Sequence, residues 1–220
     1  MLGFPSIATR HASLALCYVS FVYLHCMIES EEARTKLIRQ LKSYHGCDTQ
    51  DGATARQICE LVEANPRCAE RDCFPAHLTG SAWVVNRCGS KVILLHHRKL
   101  DRWLQPGGHA DGELDLLQVA LREAREESGL STIVPIDDAI FDLDIHKIPA
   151  LREHPEHLHF DLRFLCVGDE DESIVVSDES HDVRWVALDD LARYTQESSI
   201  VRMHGKWLAR RGSQKTNYIP

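Results

Sequence analysis

Glu123, Glu126 and Glu127 stand at i, i+3 and i+4. At 3.6 residues per turn that spacing gathers three carboxylates on one side of a helix. Leu117, Ala120, Leu121 and Ala124 fall on the neighbouring arc, the one that would turn toward a core. Like charges so placed repel one another, and in most proteins such a run is a solvated surface, softened here by Arg122 and Arg125. The company of these glutamates argues for chemistry instead. The helix opens after Gly107-Gly108, where a backbone without Cβ atoms approaches a ligand closely. Clustered carboxylates are the hard oxygen donors preferred by Mg²⁺ or Mn²⁺. A divalent ion there would turn repulsion into binding, and would draw in a phosphate despite the chain's formal net charge of −8.

A second set of chemical side chains lies in Glu153-His154-Pro155-Glu156-His157-Leu158-His159-Phe160-Asp161. On a strand, His157, His159 and Asp161 share one face, and Leu158, Phe160 and Leu162 the other. The polar face has three readings: the lining of a substrate cleft, where imidazoles suit phosphate or ribose oxygens; a transition-metal site; or a solvent-facing edge. His96, His97 and Arg98 pose the same question, and Trp103 beside the double glycine is suited to stack on a base or to pack. A looser grouping, Cys68, Cys73 and His77, has three zinc-type ligands without the paired spacing of a structural zinc site. None of the eight cysteines forms a C-x-x-C pair, and a chain of this size folds without staples, so reduced thiols in a cytoplasmic protein are expected.

The elements that must position these groups follow from periodicity. Ser30 with acids behind it reads as a helix start, and Ala33, Leu37, Ile38 and Leu41 repeat at helical spacing up to Gly46. A second helix is expected from about Thr54 to Glu63. Strands are expected over 77–86 and 91–96, joined by a turn at Gly89, then a loop over 103–108 and a helix from about Glu113 to Ser128 closed by Gly129. Further strands fall at 139–148, 158–167 and 183–186, followed by an Asp-capped short helix near Leu188. A last amphipathic helix carries Ile200, Met203, Trp207 and Leu208. Interleaved strands and helices give an α/β (α+β) class with a mixed sheet. Neither a dinucleotide-binding glycine fingerprint nor a P-loop is present.

The segment Gly108–Leu130 resembles a Nudix box, G-x5-E-x7-R-E-U-x-E-E-x-G-U with U aliphatic. Arg122-Glu123-Ala124-Arg125-Glu126-Glu127-Ser128-Gly129-Leu130 matches its second half, with Ala124 as the aliphatic residue. The first half is shifted: four residues separate Gly108 from Glu113 and eight separate Glu113 from Arg122, so the family's first glutamate position falls on Leu114. The resemblance implies a Nudix-type α/β/α sandwich over roughly 77–208, preceded by a small helical region. It also implies a pyrophosphohydrolase that uses Mg²⁺ or Mn²⁺ to cleave the diphosphate linkage of a nucleoside diphosphate derivative or nucleotide by water attack. Carried over, Glu123, Glu126 and Glu127 would hold the metal, with Glu126 and Glu127 catalytic. Arg122 would orient a glutamate, and Gly107 and Gly108 would shape the loop beside the metal. Such enzymes often take a general base from outside the box. Glu179 is the candidate, in the polar loop Ser177-Asp178-Glu179-Ser180-His181, with Asp178 and Asp182 competing. The expected substrate contacts are Gly107, Gly108, His157, His159, Asp161, Trp103 and Arg98. Two alternatives share the fold. An isoprenoid-diphosphate isomerase would want a Cys-Ser-His-Pro setting that Cys73 and Cys88 lack, and a ligand-sensing module often loses box glutamates that are all present here.

Composition sets the frame. The 220 residues suit one domain with an appendage, divided as an apolar extension over 1–28, a helical cap over 29–75, the catalytic domain over 76–212 and a tail over 213–220. Acidic residues outnumber basic ones 33 to 25, which disfavours a nucleic-acid partner, and the basic run from Arg202 to Lys215 reads as a packing helix. A small nucleotide-type molecule is the expected partner, and a homodimer is compatible with the sequence. Residues 12–28 carry no formal charge and resemble a short anchor. Ser13, Tyr18, Ser20, Tyr23 and His25 dilute them, so the expectation is an extension ahead of a start at Met27.

Overall fold

In the computed structural model the described residues are 30–46, 49–150 and 155–213. The apolar extension, the start at Met27, the anchor reading and His154 lie outside them. No helix among the described residues is long and apolar enough to cross a membrane.

Strand β1 (Ala76–Asn86) is buried along its whole length, which its flanks explain. It runs parallel to β6 (His157–Gly168) and antiparallel to β2 (Lys91–His97), and its first half also pairs with the short β4 (Gly107–His109). β2 in turn pairs with β3 (Arg102–Leu104) and β7 (Ser180–Ala187), while β5 (Val134–Ile148) closes the far edge against β6. The sheet has seven strands and is mixed, as expected.

Side-chain alternation divides the core. Leu78, Ala82 and Val84 of β1, Ile93 and Leu95 of β2, and Phe160, Leu162 and Phe164 of β6 face one side. There they meet α1 (residues 30–43), α2 (Thr49–Ala64) and α3 (Leu116–Ser128). Trp83, Val85, Val92, Leu94 and Leu165 face the other side and pack on Ile200, Met203 and Trp207 of α4 (Ser198–Ser213). The result is the sheet between two helical layers that the resemblance implies.

Arg34 of α1 donates to the carbonyls of Val62 and Pro66 at 2.5 and 2.6 Å, satisfying the open end of α2. Around the β5 edge, Lys206 of α4 reaches Tyr44 Oη at 2.9 Å, Asp51 at 2.8 Å and Asp142 at 2.7 Å. Covering an edge strand in this way removes a site for stray pairing.

Several boundaries differ from expectation. Ser30 is already helical rather than a cap, and α2 begins five residues early, at Thr49. The loop over 103–108 contains β3 and β4, because Trp103 and Gly108 find backbone partners in β2 and β1. β5 starts at Val134 with irregular register between Pro135 and Asp142. The segment after β7 is a 3₁₀ turn, Leu188–Arg193, with Ala187 at its N-cap and no side-chain cap. α3 begins at Leu116, three residues late, with Asp115 at the cap position and its carboxylate taken by Lys36 of α1 at 3.1 Å.

Candidate active site

The local rules of α3 decide which glutamates turn where. Leu117, Val119, Ala120, Leu121 and Ala124 are buried against the sheet, and Gly129 ends the helix at φ +74°, donating its N–H to Arg125. Glu127 lies closest to the buried face, only 7 % exposed, and its Oε2 accepts the Gly107 N–H at 2.8 Å. Burial pushes its carboxyl up to about 8, partly offset by that hydrogen bond, with repulsion from Glu123, Glu179 and Glu126 adding to the rise. Glu123 is also raised by burial, partly countered by Arg122, with Glu126 and Glu179 repelling it. Glu126 turns outward, its side chain 63 % exposed and 3.8 Å from Arg122. Arg122 donates to Glu123 Oε1 at 2.5 Å and to the His109 carbonyl at 3.0 Å, which ties α3 to β4.

The double glycine is required by contact distances. A Cβ on Gly108 would lie 2.3 Å from a Glu123 carboxylate oxygen, and one on Gly107 would lie 2.1 Å from Ser81 Oγ. Glu113 is exposed outside the helix, accepting the Asp115 N–H at 2.7 Å, while Leu114 is buried in the core. The one-residue shift in the first half of the box therefore fills a core position with leucine.

Glu179 is exposed just before β7, near enough for its charge to act on both Glu123 and Glu127. Of its competitors, Asp182 is held by Arg184, and Asp178 is exposed. Arg98 is exposed: its Nε and Nη2 donate to the carbonyls of Asp178 and Ser180 at 3.0 and 2.9 Å, and its own N–H donates to the Glu179 carbonyl at 2.9 Å. It braces the loop that carries Glu179. Trp103 is half-buried, stacked on His96 at 5.1 Å with the Arg184 guanidinium 5.3 Å from its ring centre, and Tyr194 meets it edge-on.

On the other face of β4 stands a group of histidines. The parallel register sets His77 opposite His159, and β5 brings His146 beside His159. Ring centres lie 4.9 Å apart for His77–His157, 4.8 Å for His77–His159 and 5.0 Å for His109–His159. Burial lowers His159 to about 2 and His109 to about 4, helped by mutual repulsion among cations. These rings are therefore neutral at ordinary pH. Asp161 does not line an open face as expected: it is 2 % exposed, with Thr79, Ser81 and Arg163 donating to its carboxylate. It belongs to a buried ionic network with Asp142 and Asp144, not to the lining of a cleft. Zinc at Cys68, Cys73 and His77 does not assemble either. The cysteine sulfurs accept from Arg34 and Asn65, and the ligand-like group among the described residues is His77, His157 and His159. His77 and His109 were absent from the expected substrate contacts because their meeting depends on pairing between β1, β4 and β6.

The glutamate site suits a divalent cation. Burial raises the carboxyls of Glu127 and of the half-buried Glu123, repulsion among the glutamates adds to it, and a divalent ion relieves that strain.

The family model described as the NUDIX domain matches residues 77–208. No curated protein matches the chain. Among solved structures, a binary complex of an Ap4A hydrolase from C. elegans is similar at 18% identity and TM-score 0.50, covering 62% of this chain and 98% of that one. The MutT protein from Methanosarcina mazei Go1 is similar at 20% identity and TM-score 0.50, covering 64% and 97%. At these identities the likeness is one of fold.

Proposed function

The chain belongs to the NUDIX family and is a hydrolase acting on pyrophosphate bonds, and from that premise we propose that it is a Mg²⁺- or Mn²⁺-dependent pyrophosphohydrolase of a nucleoside diphosphate derivative or nucleotide. The observation that carries the reading is Glu127. It is buried beside a double-glycine strand, raised to about 8, and faced by further carboxylates, of which Arg122 pairs with Glu123. A protein does not keep such a charge cluster for stability.

In this reading Glu123, Glu126 and Glu127 hold the cation. When bound, it supplies charge stabilisation to the diphosphate oxygens and lowers the pKa of water. Arg122 is a positioning residue, holding the Glu123 carboxylate while its second nitrogen grips β4. The Gly107–Gly108 backbone admits the diphosphate close to Glu123, where any Cβ would collide. Glu179 accepts the proton from the attacking water at its carboxylate. It is exposed and, among the described residues, not locked into an ion pair, and Arg98 steadies its backbone. The Trp103 ring flanks the nucleoside part of the substrate.

The test is incubation with Mg²⁺ or Mn²⁺ and a panel of nucleoside diphosphate derivatives and nucleoside triphosphates, with Glu127→Gln alongside. Turnover that collapses in the variant supports the reading. Binding of a panel member without turnover in either protein replaces it with a sensing role.

A further inference from the structure

His77, His157 and His159 present ring nitrogens that all lie within 4.8 Å of one another, and two of the three residues are buried. His157 Nε2 and His159 Nε2 are 3.3 Å apart. Two nitrogens on a tetrahedral zinc, each bonded at about 2.0–2.1 Å, are separated by about 3.3–3.4 Å. The spacing already present is that of two ligands on one ion.

The remaining ring contacts point the same way. His157 Nδ1 lies 2.8 Å from the Pro155 carbonyl and His77 Nδ1 lies 3.3 Å from the Cys73 carbonyl. A ring that donates Nδ1–H to a backbone carbonyl leaves its Nε2 lone pair for a ligand, the outer-shell pattern of metal-bound histidine. His77 is 1 % exposed, and its Nε2 has no hydrogen-bond partner. Native proteins rarely leave a buried polar atom unpaired, and an unpaired one on a ring packed against two other imidazoles asks for an occupant.

We propose that His77, His157 and His159 bind one divalent transition-metal ion of the zinc class, at a site separate from the box glutamates. The ligand set is imidazole, which selects zinc-like ions over the oxygen-seeking Mg²⁺. Alternation along β4 keeps the sites apart: Gly108 abuts Glu123 on the α3 side, whereas the His109 ring lies 5.3 Å from His77 on the opposite side. Three protein ligands leave a fourth position on such an ion. That position takes water or an oxygen of a bound molecule.

The experiment uses the full chain stripped with a chelator and then held in excess Mg²⁺, so that oxygen-ligand sites are filled. It is titrated with Zn²⁺ by calorimetry and with Co²⁺ by visible absorption. The expected result is one equivalent of Zn²⁺ and intense four-coordinate Co²⁺ bands. His77→Gln and His157→Gln should each weaken Zn²⁺ by about 100-fold or more, and Glu127→Gln should leave it unchanged. Zn²⁺ binding that follows Glu127 instead of the histidines overturns the proposal, as does the absence of stoichiometric binding. If the histidine variants do not fold, the parent's Co²⁺ spectrum decides: weak six-coordinate bands refute the site. The measurement reads binding alone, so it stands or falls independently of pyrophosphohydrolase activity.

Discussion

Replacing Glu127 by glutamine should stabilise the metal-free protein while abolishing its activity. Glutamine keeps an oxygen to accept the Gly107 N–H and removes the charge that burial penalises. The folded-state pKa is raised from 4.5 to about 8. Below about pH 4.5 the carboxyl is protonated in both folded and unfolded chains and costs nothing. As pH rises toward 8 the unfolded chain ionises freely while the fold resists, so the parent loses stability through this window and stays penalised above it. At 1.36 kcal/mol per unit the full penalty is about 5 kcal/mol, and discounting it for solvent screening leaves about 2–4 kcal/mol. For a chain of this size that is a rise in Tm of roughly 5–15 °C at pH 8. The assay is thermal melting of parent and variant in chelator at pH 5 and pH 8, repeated with Mg²⁺. Near-equality at pH 5, a wide gap at pH 8 and a narrowed gap with Mg²⁺ are expected, because the ion binds the carboxylate and not the amide. A variant no more stable than the parent at pH 8 in chelator would refute the burial argument.

Three other outcomes follow from the same geometry. Gly108→Ala should fold, yet lose on the order of 10²-fold in kcat, because the new methyl displaces the Glu123 carboxylate; steady-state kinetics beside a melting curve separate the two effects. Glu179→Gln should lower kcat by about 10²–10⁴-fold with KM little changed in steady-state kinetics. Asp142 is fully buried, and although burial raises its pKa, Arg202, Arg163 and Lys206 hold the carboxyl below its ordinary range. Its stabilising contribution is present above about pH 4 and disappears on acidification. Asp142→Asn should therefore cost about 3–5 kcal/mol in urea denaturation at pH 7 and weaken the parent's acid sensitivity.

Much of the candidate site was legible because the relevant rules are local. The i, i+3, i+4 spacing of Glu123, Glu126 and Glu127 needs only one helix, and Gly129 with its φ of +74° closes it as glycine should. Yet Glu126 and Glu127 are neighbours in sequence, and one is mostly exposed while the other is buried. That difference depends on β4 lying over the helix, and β4 read as a loop because it has three residues, two of them glycine.

The histidines teach the same lesson at longer range. Strand alternation alone assigned His157, His159 and Asp161 to one face. What separates the buried ionic role of Asp161 from the ligand-like role of His157 and His159 is their partners, Thr79, Ser81 and His77, about eighty residues earlier in the chain. Periodicity, capping and turn chemistry are decided within about a dozen residues, so the amino-acid order by itself determined the helices, most of the strands and the glutamate face. Which strand lies beside which is decided by burying both faces of a sheet at once, a condition on the whole chain. Only the tertiary structure could bring His77 and His109 to His159, spend Arg98 on a loop and seal Asp161 beneath Arg163.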